Sequence, residues 1–235
     1  MDNKKISDFE IMAPVGSRES LMAAIQAGAD SVYFGIGQLN MRSHSANHFT
    51  IDDLHDIAQT CKVHGIKSYL TVNTVIYDGD IATMHTIIDA AKAANITAVI
   101  ASDVAVMMYC SEVGVEVHLS TQLNISNIDA LKFYARFADV VVLARELNMN
   151  QVEEIYRQIK EQDIRGPRGE LIRIEMFCHG ALCMAVSGKC YMSLHDANRS
   201  ANRGECVQIC RRSYTVTDNE TGNQLEIDNQ YIMSP

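Results

Sequence analysis

From residue 10 to about 180, short apolar and β-branched runs alternate with longer amphipathic stretches, and that beat narrows the folds open to the chain more than any other feature. A run too short for a helix, followed by a stretch at helical period, is one βα unit; repeated units pair their strands in parallel and cover the sheet with helices. Strands are predicted at Glu10 to Ala13, Ser31 to Gly35, Ile66 to Val72, Ala98 to Ala101, Glu116 to Ser120, Val140 to Leu143 and Ile172 to Phe177. Between them, helices are predicted at Ser20 to Ala27, Ile51 to His64, Ile81 to Ala94, Val104 to Val113, Ile128 to Ala138 and Met149 to Lys160. Thr50, Asp80 and Asn127 stand where an N-cap oxygen can satisfy free N–H groups of the first turn, and Gly28, Gly65 and Gly114 fall just past three helix ends.

Seven such units fit a (β/α)8 barrel of the TIM type better than a doubly wound sheet. The first βα loop, Pro14-Val15-Gly16-Ser17, lacks the glycine pattern that cradles a dinucleotide phosphate. Past Ile209 the pattern changes, and Thr215 to Pro235 reads as a β-hairpin turning at Asn219 to Asn223 and heading for another strand. The expectation is an α/β chain whose barrel is incomplete at its C-terminus. Barrel units one to seven occupy residues 1–182, a Cys-rich insertion 183–214, and the hairpin with the start of a further part 215–235.

The 235 residues, 47% hydrophobic and 21% charged, suffice for one full-sized core. No apolar run approaches the ~18 residues of a membrane span, so a cytoplasmic protein without membrane contact is expected. A net charge of -9 argues against general affinity for nucleic acid, which needs excess Lys and Arg, but leaves room for a local basic patch. Arg199, Arg203, Arg211 and Arg212 are the candidates for one; a solvated rim tuning nearby thiolates is the alternative.

In a βα barrel, chemistry collects at the C-terminal ends of the strands. There the sequence puts Arg42, Asn73, Thr74, Ser102, Asp103, Gln122, Asn124, Arg145, Glu146, Glu175 and His179. Arg42 and Arg145 could hold a carboxylate or phosphate, with Asn124 beside them. Glu175 and His179 are acid/base candidates, with Asn73 and Gln122 as polar partners. Strand alternation turns Cys178 away from Glu175, toward a place in the core. The S-x-x-K, G-x-S-x-G and H-E-x-x-H motifs of hydrolases are absent.

Five of the seven cysteines fall between Cys178 and Cys210, while Cys61 and Cys110 sit on predicted helices as core residues. In a reducing compartment, clustered cysteines point to metal or redox chemistry rather than disulfides. Cys183, Cys190, Cys206 and Cys210 are spaced C-x6-C-x15-C-x3-C, without the C-x2-C knuckle of a zinc ribbon. Iron–sulfur ligation tolerates such spacing, and Gly188 and Gly204 would let backbone N–H groups approach the sulfurs. Spacing alone leaves iron–sulfur, zinc and no metal open.

The run from Glu175 to Ser193, E-M-F-C-H-G-A-L-C-M-A-V-S-G-K-C-Y-M-S, closely resembles the signature of the collagenase-like peptidase family U32. So do R-S-A-N-R-G-E-C-V-Q-I-C-R-R-S-Y from Arg199, A-P-V-G-S from Ala13, L-N-M-R from Leu39, H-L-S-T-Q-L-N from His118 and V-L-A-R-E-L from Val142. The resemblance covers nearly the whole chain and implies a barrel-like catalytic domain. Despite the peptidase name, it implies a hydroxylation factor. Members serve prephenate-dependent 5-hydroxylation of the tRNA wobble uridine, hydroxylation of a ribosomal RNA cytidine, or oxygen-independent ubiquinone hydroxylation with a 4Fe-4S cluster. By that resemblance Cys183, Cys190 and Cys206 match cluster ligands, Cys210 matches a ligand of one branch, and another branch uses a cysteine beyond the position of Pro235. Prephenate would suit Arg42 and Arg145. The implied partners are tRNA, a small carboxylate co-substrate, and a protein partner or second copy. A true peptidase, or a non-catalytic scaffold for a cluster, is the competing reading.

Overall fold

The computed structural model describes residues 9–41, 43, 49–180 and 183–227. The βα beat is realised as β1 (Met12–Pro14), α1 (Arg18–Gln26), β2 (Ser31–Phe34), α2 (Leu54–Val63), β3 (Lys67–Val72), α3 (Ile81–Ala93) and β4 (Ala98–Ala101). It continues through α4 (Val104–Val113), β5 (Val117–Leu119), α5 (Ile128–Tyr134), β6 (Val140–Val142), α6 (Met149–Glu161) and β7 (Arg173–Glu175). The seven strands pair in sequence order, every pair parallel, and curl into an open half-barrel with the helices outside. A short helix α7 (Met192–Ala197) and an antiparallel hairpin of β8 (Tyr214–Thr217) and β9 (Gln224–Ile227) follow.

Alternation along each strand divides the residues between two faces. The outer face packs under the helices: Val32, Leu70, Val99, Leu119 and Val141 are all 0% exposed and meet Leu21, Ile57, Ile88, Met107 and Leu131 from α1 to α5. Cys61 and Cys110 lie in this layer as expected, and burial pushes their thiols up to about 11 and about 12, which makes them inert packing groups. Asn127 caps α5, its Oδ1 accepting from Ala130 N at 2.9 Å, and Gly114 takes the left-handed position (φ 76°) that ends α4.

Asp80 does not cap α3. The chain inserts a 3-10 turn at Asp78–Asp80, and the Asp80 carboxylate instead accepts from Tyr77 N at 2.8 Å and pairs with Arg203. Helix and strand ends also differ from the sequence pattern. Residues 51–53 form a 3-10 turn before α2, and β7 stops at Glu175 rather than Phe177.

The inner face is part apolar and part charged. Tyr69, Ala98 and Ile100 cluster with Met12 and Tyr33. Around them, the Tyr69 hydroxyl donates to Glu10 Oε1 at 2.6 Å, Lys67 Nζ meets Glu10 Oε2 at 2.5 Å, and the Tyr69 and His118 rings stand 4.6 Å apart. His118 Nε2 lies 3.3 Å from Glu116 Oε1, and Glu116 also pairs with Arg168 (2.7 Å) and Arg173 (3.3 Å). Burial alone would raise the Glu116 carboxyl, but His118, Arg168 and Arg173 outweigh it and hold the group below its ordinary 4.5.

A lowered carboxyl stabilises the fold fully above the unfolded value, and that stabilisation is lost as pH falls through the folded value. Glu116→Gln should therefore cost about 1–3 kcal/mol at pH 7. Its deficit relative to the parent should shrink on acidification from pH ~5 toward pH ~3; urea midpoints at several pH values check both.

Candidate functional site

The register of the sheet assembles one polar layer near the C-terminal ends of the strands. Val72 pairs with Ala101 and Ala101 with Leu119, so the next residues, Asn73, Ser102 and Ser120, stand level on the inner face. Leu119 pairs with Val141, which brings Ser120 level with Val142, and Val142 pairs with Glu175. Contacts bear out this convergence. Asn73 Nδ2 reaches Ser120 Oγ (3.3 Å) and Gln122 Oε1 (3.4 Å), and Ser120 Oγ also donates to Gln122 Oε1. Ser102 Oγ donates to Asn73 O at 2.8 Å, and Asn73 Oδ1 accepts from Met41 N at 3.2 Å.

Glu175 closes this layer from β7. Its Oε2 is buried without a hydrogen-bond partner among the described residues, and its carboxyl is pushed up to about 7, first by burial and then by the nearby charge of Glu10. A carboxyl of this kind can hold or release a proton near neutral pH.

Residues 183–213 lie over the mouth, pinned to four strand ends. From β6, Arg145 donates to Cys183 O (3.3 Å), Ala185 O (3.0 Å) and Ser187 Oγ (3.0 Å from Nε and 2.6 Å from Nη2). From β5, Asn124, held at φ 53°, donates from Nδ2 to Ser187 O at 2.7 Å. Beyond β3, Val75 N donates to Asn202 O (3.3 Å), and Arg203 pairs with Asp80, donates to Val75 O (2.9 Å) and covers the Tyr77 ring at 4.1 Å. After β2, the backbone at Asn40 packs against Gly204 so closely that a Cβ there would lie 2.3 Å from Asn40 O.

This arrangement gathers the thiols. Cys183 and Cys206 are exposed, Cys190 and Cys210 half-buried, and none is in a disulfide. The Cys210 thiol is raised first by burial and then by Cys206, Cys183 and Cys190. Asn202 Oδ1 accepts from the Cys190 amide at 3.0 Å, and the 3-10 turn Ile209–Arg211 carrying Cys210 packs on α7. Among the described residues no three or more His, Cys, Asp or Glu groups are drawn together as a single metal ion needs. Zinc would hold its sulfurs about 3.8 Å apart, from Zn–S bonds of about 2.3 Å in a tetrahedron. A polynuclear cluster is larger and takes a wider set.

The other sequence-predicted residues fall as follows. Arg42 lies outside the described residues, as do residues 228–235. His179 is exposed in the loop after β7. Cys178 is exposed rather than in the core, because the strand ends at Glu175 and alternation no longer applies three residues later. Of the four arginines considered as a basic patch, Arg203 is committed to Asp80, Arg212 makes an exposed pair with Asp196 (3.8 Å), and Arg211 donates to Gln208 Oε1 (3.2 Å). Sequence reasoning missed Asn40, Ser187 and Asn202 as docking residues; the only signal was the pair of glycines. Gly188 and Gly204 make room for Gln122 and Asn40.

The fold and its mouth define a class: a TIM-like half-barrel carrying four free thiols in a segment over the C-terminal ends of its strands. The model of peptidase family U32 matches residues 16–235, and the chain belongs to that family. It is 70% identical over 230 residues to a collagenase of Porphyromonas gingivalis, covering 98% of this chain and 56% of that protein. It is 34% identical to tRNA hydroxylation protein P1 of Bacillus subtilis, covering 96% of this chain and 52% of that one. It is 32% identical to a 23S rRNA 5-hydroxycytidine C2501 synthase of Escherichia coli, covering 90% and 30%. The chain thus spans about half or less of the length of these relatives. A solved structure described as a U32 peptidase superposes with a TM-score of 0.56 at 12% identity, covering 78% of this chain and 98% of that one, and shows the same fold.

Two substitutions probe this site. A raised carboxyl binds its proton in the folded state through a window where the unfolded chain has lost it, so Glu175 makes stability fall as pH rises from about 4.5 to about 7. Glu175→Gln should remove a slope worth about 3 kcal/mol and gain most over the parent at pH ~8, read from urea midpoints at pH ~5 and ~8. Gly204→Ala, at φ 85° and against Asn40, should cost about 1–3 kcal/mol. Faster amide exchange confined to residues 183–213 would locate that loss at the docked segment.

Proposed function

We propose that this chain is the thiol-bearing barrel of an RNA hydroxylation factor, with an iron–sulfur cluster held by Cys183, Cys190, Cys206 and Cys210. The observation that carries this reading is the docking of a segment with four free cysteines over a polar barrel mouth. The donor set suits the group in its chemistry, since iron–sulfur clusters are held by cysteine sulfur and all four candidates are free cysteines. When bound, such a cluster supplies one-electron chemistry. Around it, the chain's own residues orient and bind: Asn73, Ser120 and Gln122 form a hydrogen-bonded polar layer, and Glu175 holds a proton at its carboxyl near neutral pH. Relatives named for tRNA and rRNA hydroxylation support RNA as the substrate. Prephenate as co-substrate belongs to the same proposal, with Arg42 as the guanidinium for its carboxylates, since Arg145 is engaged by the thiol segment.

The collagenase name of the 70%-identical relative favours a second reading, a peptidase. Against it, His118 is engaged by Glu116 inside the barrel and His179 is exposed in a loop.

Protein purified without oxygen should be brown, absorb near ~400 nm and contain iron and sulfide. A colourless zinc protein would sink the cluster. Deletion of the gene should remove 5-hydroxylated uridine or cytidine derivatives from nucleoside digests of tRNA or rRNA; unchanged digests together with cleavage of a collagen peptide would move the assignment to the peptidase.

A further inference from the structure

We infer that Arg145 is a positioning residue for the Cys183 limb of the thiol centre, fixing the 183–187 turn to the end of β6. The inference rests on the cluster reading and adds the device that sets one ligand in place. A guanidinium has five N–H donors in a rigid fork. Arg145 directs Nε to Ser187 Oγ, both hydrogens of Nη2 to Ala185 O and Ser187 Oγ, and one of Nη1 to Cys183 O, which leaves a single donor. A bidentate grip on a carboxylate would require breaking these contacts.

The turn needs such a tie. Residues 183–187 lie in no helix or strand, and Cys183 is exposed, so the turn's own backbone does little to fix the sulfur. Ser187, 7% exposed, is the anchor on the other side, because its carbonyl also accepts from Asn124. The remaining cysteines are held by other means: Cys190 through Asn202, and Cys210 through the 3-10 turn packed on α7. Arg145 therefore acts on one ligand of the four. Lysine, a point charge on a flexible stem, cannot reproduce a fork that reaches three residues.

The first test uses metal-free protein. Arg145→Ala should speed amide exchange across residues 183–188 by about tenfold, the equivalent of one or two net hydrogen bonds, with the amides of β1 to β7 unchanged. Ser187→Ala, which removes two of the four contacts while leaving the arginine, should give a smaller change in the same place and guards against a general loss of stability in the first variant. The second test uses protein reconstituted with iron and sulfide and follows iron loss to a chelator. Arg145→Ala and Arg145→Lys should each lose iron about tenfold faster, and Arg145→Ala combined with Cys183→Ser should be no faster than Cys183→Ser alone. Exchange at 183–188 that ignores both alanine variants would overturn the inference and leave the cluster reading standing. Exchange that responds in a protein that takes up neither iron nor sulfide would overturn the cluster reading, and with it any role for Arg145 beyond a structural tie.

Discussion

The arrangement of this protein follows from the parallel, in-order pairing of its seven strands. In-register parallel strands turn paired residues to the same side, so one choice of parity decides every layer of the barrel. Val32, Leu70, Val99, Leu119 and Val141 take the helix side; Tyr69, His118 and Arg173 take the other. The same parity carried further along each strand, four residues on β3 and two on β5 and β7, gives Asn73, Ser120 and Glu175. Slipping one strand by a single residue would send a polar member of this layer into the helix interface and bring an apolar one inward.

The inner face is therefore graded along the barrel. Near the strand starts, the charges of Glu10, Lys67, Glu116 and Arg173 are paired. The layer near the strand ends is polar, and its carboxyl Glu175 is raised by burial and by the like charge of Glu10. A carboxylate beside a cation is fixed in its ionised form, whereas a buried one without a partner titrates near neutrality. This contrast separates Glu116 from Glu175, two residues of the same type on neighbouring parts of one sheet.

Strand and helix positions were legible in the sequence because burial on one face imposes a period, and the period survives in the residues themselves. Asn127 and the glycines past helix ends were legible for the same local reason. What depended on distant partners was not. Asp80 has the composition of a cap, yet its partner is Arg203, which no local pattern shows. Arg145 reads as a ligand for an anion until the carbonyls of 183 and 185 are seen beside it. Cys178 was misplaced because a strand was extended past its true end. The four thiols were legible as a group from spacing, but their place over the mouth depends on Asn40, Asn124 and Asn202, residues whose type gives no sign of the task.

The hydrogen bonds that hold the thiol segment to the strand ends span from 38 residues, for Arg145 to Cys183, to 128, for Arg203 to Val75. Contacts so distant in the chain form late, since the loops they close must first be shortened by structure in between. Their anchors are strand ends that exist only once neighbouring strands have paired. The segment that carries the thiols therefore has no fold apart from the barrel: its shape is borrowed from strand ends that local sequence alone does not bring together.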